Sequence, residues 1–215
     1  MRPINLSILI SGSGTNMEAL LQAIREEGIP ARVIQVISSD PTAYGLVRAK
    51  KHGIPVRVLP NRQQADNGTA GVDETLLRWL QESGTELVIL AGYLKKIPDV
   101  VLQAYPNRIM NIHPSLIPAF SGPGWYGCKV HEAAWQRGVK VSGATVHFVN
   151  EEMDGGPIIL QQTVMLEDKD SPEAIRQKVL AVEHRLLPRA VSLFAAGKLQ
   201  VTGRRVTLLE EVNEE

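Results

Sequence analysis

The chain has 215 residues, ample for one substantial core, and its 23 Lys and Arg side chains are matched by 23 Asp and Glu. That balance leaves no long-range field favouring nucleic acid or membrane, so any site for an anion has to be local. The single cysteine, Cys128, excludes an intrachain disulfide and a Cys-based zinc cage, and the lack of a signal peptide or an apolar run near the roughly 20 residues of a membrane span leads us to expect a cytoplasmic protein.

Short apolar runs alternate with helical patterns, the order of a parallel sheet with crossover helices. Residues Ile4–Ile10 read as a first strand closed by Ser11-Gly12-Ser13-Gly14. Residues 15–27 read as a helix with Met17, Leu20, Leu21 and Ile24 on one stripe and Gly28 at its stop. A second strand over 31–37 and a helix over 43–52 follow, then a third strand over 54–59. The polar stretch 60–71 reads as a surface loop. Residues Val72–Glu82 carry Val72, Leu76, Leu77 and Leu80 at helical spacing, and 87–91 form an apolar fourth strand.

The second half changes character. A short strand over 108–112 runs into His113-Pro114 and then into a Gly/Pro-rich loop over 118–127, longer than most structureless connections and so a functional candidate. A helix near 130–137, two long strands over 140–149 and 157–166, and a long helix over 172–196 come next. Ser171 and Pro172 suit the N-cap and first position of that helix. The tail over 199–209, bent at Thr202-Gly203, reads as a hairpin. No repeat or linker divides the chain, so one domain is expected over 1–215. Its halves are about 1–105 and 106–197, with a tail from 198.

Two patterns carry chemistry. Strand, then Ser11-Gly12-Ser13-Gly14-Thr15-Asn16, then helix, is an arrangement in which backbone N–H groups and a helix dipole hold a phosphate. Met17 stands where the dinucleotide fingerprint needs its third glycine, and no Gly-Lys-Ser/Thr of a Walker loop exists. A phosphomonoester is therefore preferred to a dinucleotide. The second pattern is Asn111-Ile112-His113-Pro114-Ser115 at a strand end, where open α/β sheets bind ligands. Positions 111 and 113 of a strand project to one side, so an amide and an imidazole converge, which suits a carbonyl oxygen gathering charge. Asp154, before Gly155-Gly156, reads by default as an Asx-turn; a loop that can reach the histidine raises it to a candidate.

The remaining histidines carry less. His52 and His131, on predicted helices, are expected at solvated or interfacial positions; His184 follows Glu183 on the long helix; and His147, alternating along a strand, is expected in the core or behind the site. No pair has metal-ligand spacing, and no metal is expected.

In this order, Ile10-Ser11-Gly12-Ser13-Gly14-Thr15-Asn16, Leu90-Ala91-Gly92-Tyr93, Asn111-Ile112-His113-Pro114-Ser115-Leu116-Ile117-Pro118, Gly143-Ala144-Thr145-Val146-His147-Phe148-Val149 and Met153-Asp154-Gly155-Gly156-Pro157-Ile158-Ile159 resemble the folate-dependent glycinamide ribonucleotide transformylases of purine synthesis. Five motifs in register make the likeness specific up to about Gly197. It implies a single-domain Rossmann-like formyltransferase fold, α/β, with a mostly parallel sheet and flanking helices. It implies that Gly12, Ser13, Gly14, Thr15 and Asn16 cradle the phosphate of phosphoribosylglycinamide, with Glu183 reaching the same substrate. It assigns 10-formyltetrahydrofolate, the co-substrate, to Leu94, Lys95, Lys96, Ile97, Asn111, Asn150, Glu151, Glu152, Met153 and Asp154. The catalytic trio would be Asn111, His113 and Asp154, with His147 and Ser115 behind them. The family's arginine before the third helix falls at Thr69 in an ungapped alignment, and Arg62 substitutes only if the loop carries a shift.

For formyl transfer, the substrate amine attacks the formyl carbon, and Asn111 with a protonated His113 stabilises the oxyanion. Asp154 is expected to keep His113 protonated by raising its pKa. Methionyl-tRNA formyltransferases share the core motifs but add an RNA-binding domain, and deformylases prepend a regulatory one. Neutral charge and a first strand at residue 4 disfavour both. A nucleotide-binding oxidoreductase explains the glycine loop but leaves the trio without a role. A monomer or homodimer is expected.

Overall fold

The structure, a computed structural model, describes residues 2–60 and 71–209. In chain order the elements are β1 (Ile4–Ile10), α1 (Thr15–Glu26), β2 (Ala31–Ser38), α2 (Tyr44–Lys51), β3 (Val56–Val58), α3 (Val72–Glu82), β4 (Leu87–Leu90), α4 (Asp99–Ala104), β5 (Ile109–His113), α5 (Cys128–Arg137), β6 (Val141–Phe148), β7 (Ile158–Met165), α6 (Pro172–Ala195), β8 (Leu199–Thr202) and β9 (Arg205–Leu208). Among the described residues the strands form one sheet in the order β3-β2-β1-β4-β5-β6-β7-β9-β8. The pairs among the first five are parallel, and β6 is antiparallel to both of its neighbours, β5 and β7. This is the expected α/β architecture with a mostly parallel sheet.

Strand β1 lies between β2 and β4, so the chain winds outward to β3 and then restarts on the other side. That reversal opens a crevice at the carboxyl ends of β1 and β4, where doubly wound folds bind their ligands. Both faces of β1 are covered. Leu6, Ile8 and Ile10 pack with α1 and α6 side chains, whereas Leu9 packs with Leu76 and Leu80 of α3 and Val101 of α4. Continuous rather than alternating apolarity over Ile8–Ile10 of β1 and throughout β4 is the sequence mark of this double coverage.

Helix α1 buries Met17, Leu20 and Leu21, as the stripe predicted, and α6 starts where expected, with Ser171 Oγ accepting from the Ala174 N–H at 3.2 Å. The tail is the expected hairpin, β8 with β9, and it joins the main sheet through Ile158 and Arg205. Three readings change. β3 is ordered as a strand only over Val56–Val58, because it is an edge strand that pairs with just Val36 to Ser38 of β2. α5 begins at Cys128, two residues early, directly after Gly127. The short helix α4 had no counterpart in the sequence reading, and its six residues give too little of a 3.6-residue period to detect. No helix among the described residues is long and apolar enough to cross a membrane.

Candidate active site

A cleft of about 490 Å³ runs along the carboxyl edge of the sheet. Its lining includes Gly12, Ser13, Gly14, Thr15 and Asn16 at one end, and Leu94, Lys95, Lys96, Ile97, Asn150, Glu151 and Met153 around the rest. Asn111, His113, His147, Asp154 and Glu183 also line it. Thus residues from the loop after β1 and from α1, β4, β5, β6 and α6, up to 171 positions apart in sequence, share one wall. Glu152 is not part of it; its carboxylate accepts from Arg204 Nη2 at 3.1 Å. Ser115 lies behind the lining, buried, with Oγ donating to the Ala119 carbonyl at 2.6 Å. Arg62 falls outside the described residues.

The glycine end is tied to β4. The Ser11 N–H donates to the Gly92 carbonyl at 3.0 Å, and Ser11 Oγ accepts from the Leu94 N–H at 2.9 Å. These bonds set residues 94–97 beside the glycine loop.

At the other end His113 and Asp154 meet, with His113 Nδ1 3.5 Å from Asp154 Oδ2. The loop over 118–127 folds back to hold both. His113 Nε2 donates to the Phe120 carbonyl at 2.9 Å, and the Gly122 N–H donates to Asp154 Oδ2 at 2.9 Å. Behind them, His147 Nδ1 donates to the Phe148 carbonyl at 2.8 Å, which leaves Nε2 to accept from Asn111 Nδ2 at 3.2 Å. His147 thereby orients the Asn111 amide with its nitrogen inward. His147 is buried and also touches the cleft lining.

One electrostatic expectation is overturned. His113 is buried, and burial lowers its pKa below the ordinary value despite the upward pull of Asp154 and of the Phe120 carbonyl. The ionic partner is too distant, and too divided between His113 and His147, to offset the loss of solvent. Burial pushes the Asp154 carboxyl up, but the His147 and His113 rings and the Gly122 N–H together hold it below its usual range. Burial thus works against a charge on His113, while its polar neighbours favour the charge on Asp154.

His131 takes the interfacial of its two expected places, where α5 packs against α6. It is only 5% exposed and lines the cleft, and its Nδ1 has no hydrogen-bond partner among the described residues. Burial, then the Arg176 charge, pushes its pKa down to about 4. Arg176, Leu180 and Glu183, all in the lining, stand three and four residues apart on α6. That spacing back from Glu183 was the signal by which Arg176 could have been found. Trp125 and Tyr126 of the long loop also line the cleft.

Glu183 is buried, accepts from Asn16 Nδ2 at 3.0 Å, and has its pKa pushed up to about 7 by burial, against the Asn16 bond and Arg176. A carboxyl raised from 4.5 to about 7 is uncharged without cost at low pH, and its ionisation then opposes folding as pH rises across that window. Melting temperature should accordingly fall between those pH values, and Glu183→Gln should flatten the fall. Equal slopes in thermal melts of both proteins would remove Glu183 as the cause. No group of three or more His, Cys, Asp or Glu side chains among the described residues is placed to hold a metal ion.

Residues 4–191 match the family model described as formyl transferase. The phosphoribosylglycinamide formyltransferase of Haemophilus influenzae is 37% identical over 91% of this chain and 89% of its own length. Glycinamide ribonucleotide transformylase 1 of Symbiobacterium toebii superposes with a TM-score of 0.88 at 45% identity, covering 97% of this chain and 95% of that one. A formyltetrahydrofolate deformylase of Pseudomonas syringae shares the fold at a TM-score of 0.86 and 25% identity, but this chain covers 67% of it. With a cleft that joins a glycine-rich loop to an Asn-His-Asp cluster, and with likeness over nearly its whole length, this chain belongs to the formyl transferase family, among the phosphoribosylglycinamide formyltransferases.

Proposed function

We propose that this formyltransferase of purine biosynthesis moves the formyl group of 10-formyltetrahydrofolate to the amine of 5'-phosphoribosylglycinamide at the Asn111, His113 and Asp154 cluster. The observation that carries the reading is that this cluster, the glycine loop and residues 94–97 line one and the same cleft. The half over 1–105 supplies the phosphate loop, with Glu183 from α6 facing the same substrate. Leu94, Lys95, Lys96 and Ile97, with the loop over 150–154, border the folate.

The chemistry follows from the nitrogens. His113 Nε2 is committed to the Phe120 carbonyl, so Nδ1 is the atom that works at the reacting carbon. A neutral imidazole in that tautomer carries a lone pair on Nδ1. The amine attacks the formyl carbon, and the intermediate holds O⁻ and a protonated amine nitrogen. Nδ1 takes that proton, and the resulting imidazolium sits between the oxyanion and Asp154. The free N–H of Asn111 donates to the same oxyanion, an interaction worth about 3–4 kcal/mol per donor in comparable sites. The proton then passes to N10 of the folate as the C–N bond breaks, leaving formylated product and tetrahydrofolate. Burial, which lowers the His113 pKa, favours a base that starts neutral over the imidazolium that the sequence reading had Asp154 maintain.

Steady-state loss of formyl-folate should depend strictly on phosphoribosylglycinamide, with methionyl-tRNA inert. Equal turnover with water as the only acceptor would replace this reading with hydrolysis of the deformylase kind.

A further inference from the structure

The outer side of the glycine loop rests on α2. The Gly45 N–H donates to the Gly12 carbonyl at 3.0 Å, and Arg48 Nε donates to the Ser13 carbonyl at 3.0 Å. Arg48 is itself held from two sides. Its guanidinium lies 5.1 Å from the centre of the Tyr44 ring, and Nη1 is 3.6 Å from Glu18 Oε2 on α1. Helix and loop meet backbone to backbone: a Cβ added to Gly45 would stand 2.5 Å from Ile10 Cδ1 and 3.2 Å from both the Gly12 oxygen and Gly14 Cα.

Peptide geometry turns these contacts into an orientation. In a trans peptide the C=O and the following N–H point in opposite directions. With the carbonyls of Gly12 and Ser13 drawn toward α2, the N–H groups of Ser13 and Gly14 face away from it, and these residues line the cleft. No backbone carbonyl among the described residues accepts from the N–H groups of Ser13, Gly14, Thr15 or Asn16. A cation on the Ser13 oxygen also polarises its peptide and makes the Gly14 N–H a stronger donor.

We infer that Arg48, working from outside the cleft through the Ser13 carbonyl, is a positioning residue that sets the affinity of the glycine loop for the substrate phosphate. The inference rests on the reading of that loop as the phosphate cradle under the proposed function. Arg48 touches no reacting atom, so its effect belongs in binding of the phosphorylated acceptor and not in turnover.

The test compares wild type, Arg48→Met and Arg48→Lys with two acceptors, phosphoribosylglycinamide and the same molecule without its phosphate. Inorganic phosphate serves as a competing ion. Arg48→Met is expected to raise the KM for the phosphorylated acceptor roughly 10- to 100-fold, the scale of one hydrogen bond to a charged group. Its kcat and folate KM should stay within about twofold. The dephosphorylated acceptor should be unaffected, and inhibition by phosphate should weaken in parallel. Arg48→Lys, which keeps the charge but lacks the planar Nε donor, should lie between, and it gives the same readout if Arg48→Met does not fold. A folded variant with the full preference for the phosphorylated acceptor overturns the inference alone. A wild type without that preference overturns the phosphate cradle as well.

Discussion

Gly14→Val should raise the KM for phosphoribosylglycinamide by about 100-fold or more, while the folate KM moves by only about two- to threefold. Gly14 sits at φ +73°, a left-handed conformation that β-branched side chains avoid. An added Cβ would also stand 2.7 Å from Gly45 Cα and 3.3 Å from Met17 Cε. The first of these is backbone, so the loop has to shift, and the N–H groups of Ser13 and Gly14 shift with it. Two hydrogen bonds to an anion then weaken together. Strain of about 1–3 kcal/mol adds a lower melting temperature, which thermal unfolding reads separately from the kinetics. If both KM values rise equally in a folded variant, the phosphate does not bind at this loop.

Most of this site was legible in the sequence, and for identifiable reasons. The glycine loop declares itself because a strand, two glycines and an amphipathic helix leave the backbone few other conformations. Asn111 and His113 share a face because strand side chains repeat every two residues, and β5 keeps both at its carboxyl end. What stayed hidden depends on contacts between distant segments. Nothing in Phe120 or Gly122 announces that one supplies a carbonyl to His113 and the other an N–H to Asp154. His131 resembles a surface histidine until α5 is packed against α6, and Arg176 needs the helix register of Glu183 to be noticed. The direction of the His113 pKa shift was misread for the same reason. A nearby carboxylate can be proposed from two motifs, but the depth of burial that outweighs it belongs to the assembled fold.

Asp154→Asn provides the sharpest separation of charge from shape at this site. Asp154 has φ +56°, a conformation that asparagine tolerates, and an asparagine oxygen can still accept from the Gly122 N–H. The loop over His113 should therefore survive the substitution, and substrate KM values should change little. Turnover should not. Without the carboxylate the imidazolium formed at Nδ1 loses its counter-charge at the moment the intermediate develops, and kcat is expected to fall by about 10²–10³, or roughly 3–4 kcal/mol. The pH dependence carries the sign. His113 begins as a neutral base, so activity is lost as pH falls through its pKa and levels off above it. Asp154 pulls that pKa part of the way up against burial, and its removal lets burial act unopposed. The acidic limb of the variant should move to lower pH, and an NMR titration of His113 should move with it. A resting imidazolium would give the opposite profile, with activity lost as pH rises. A variant with near-normal kcat, or an acidic limb that stays where it was, would reduce Asp154 to a turn residue that anchors the loop through Gly122.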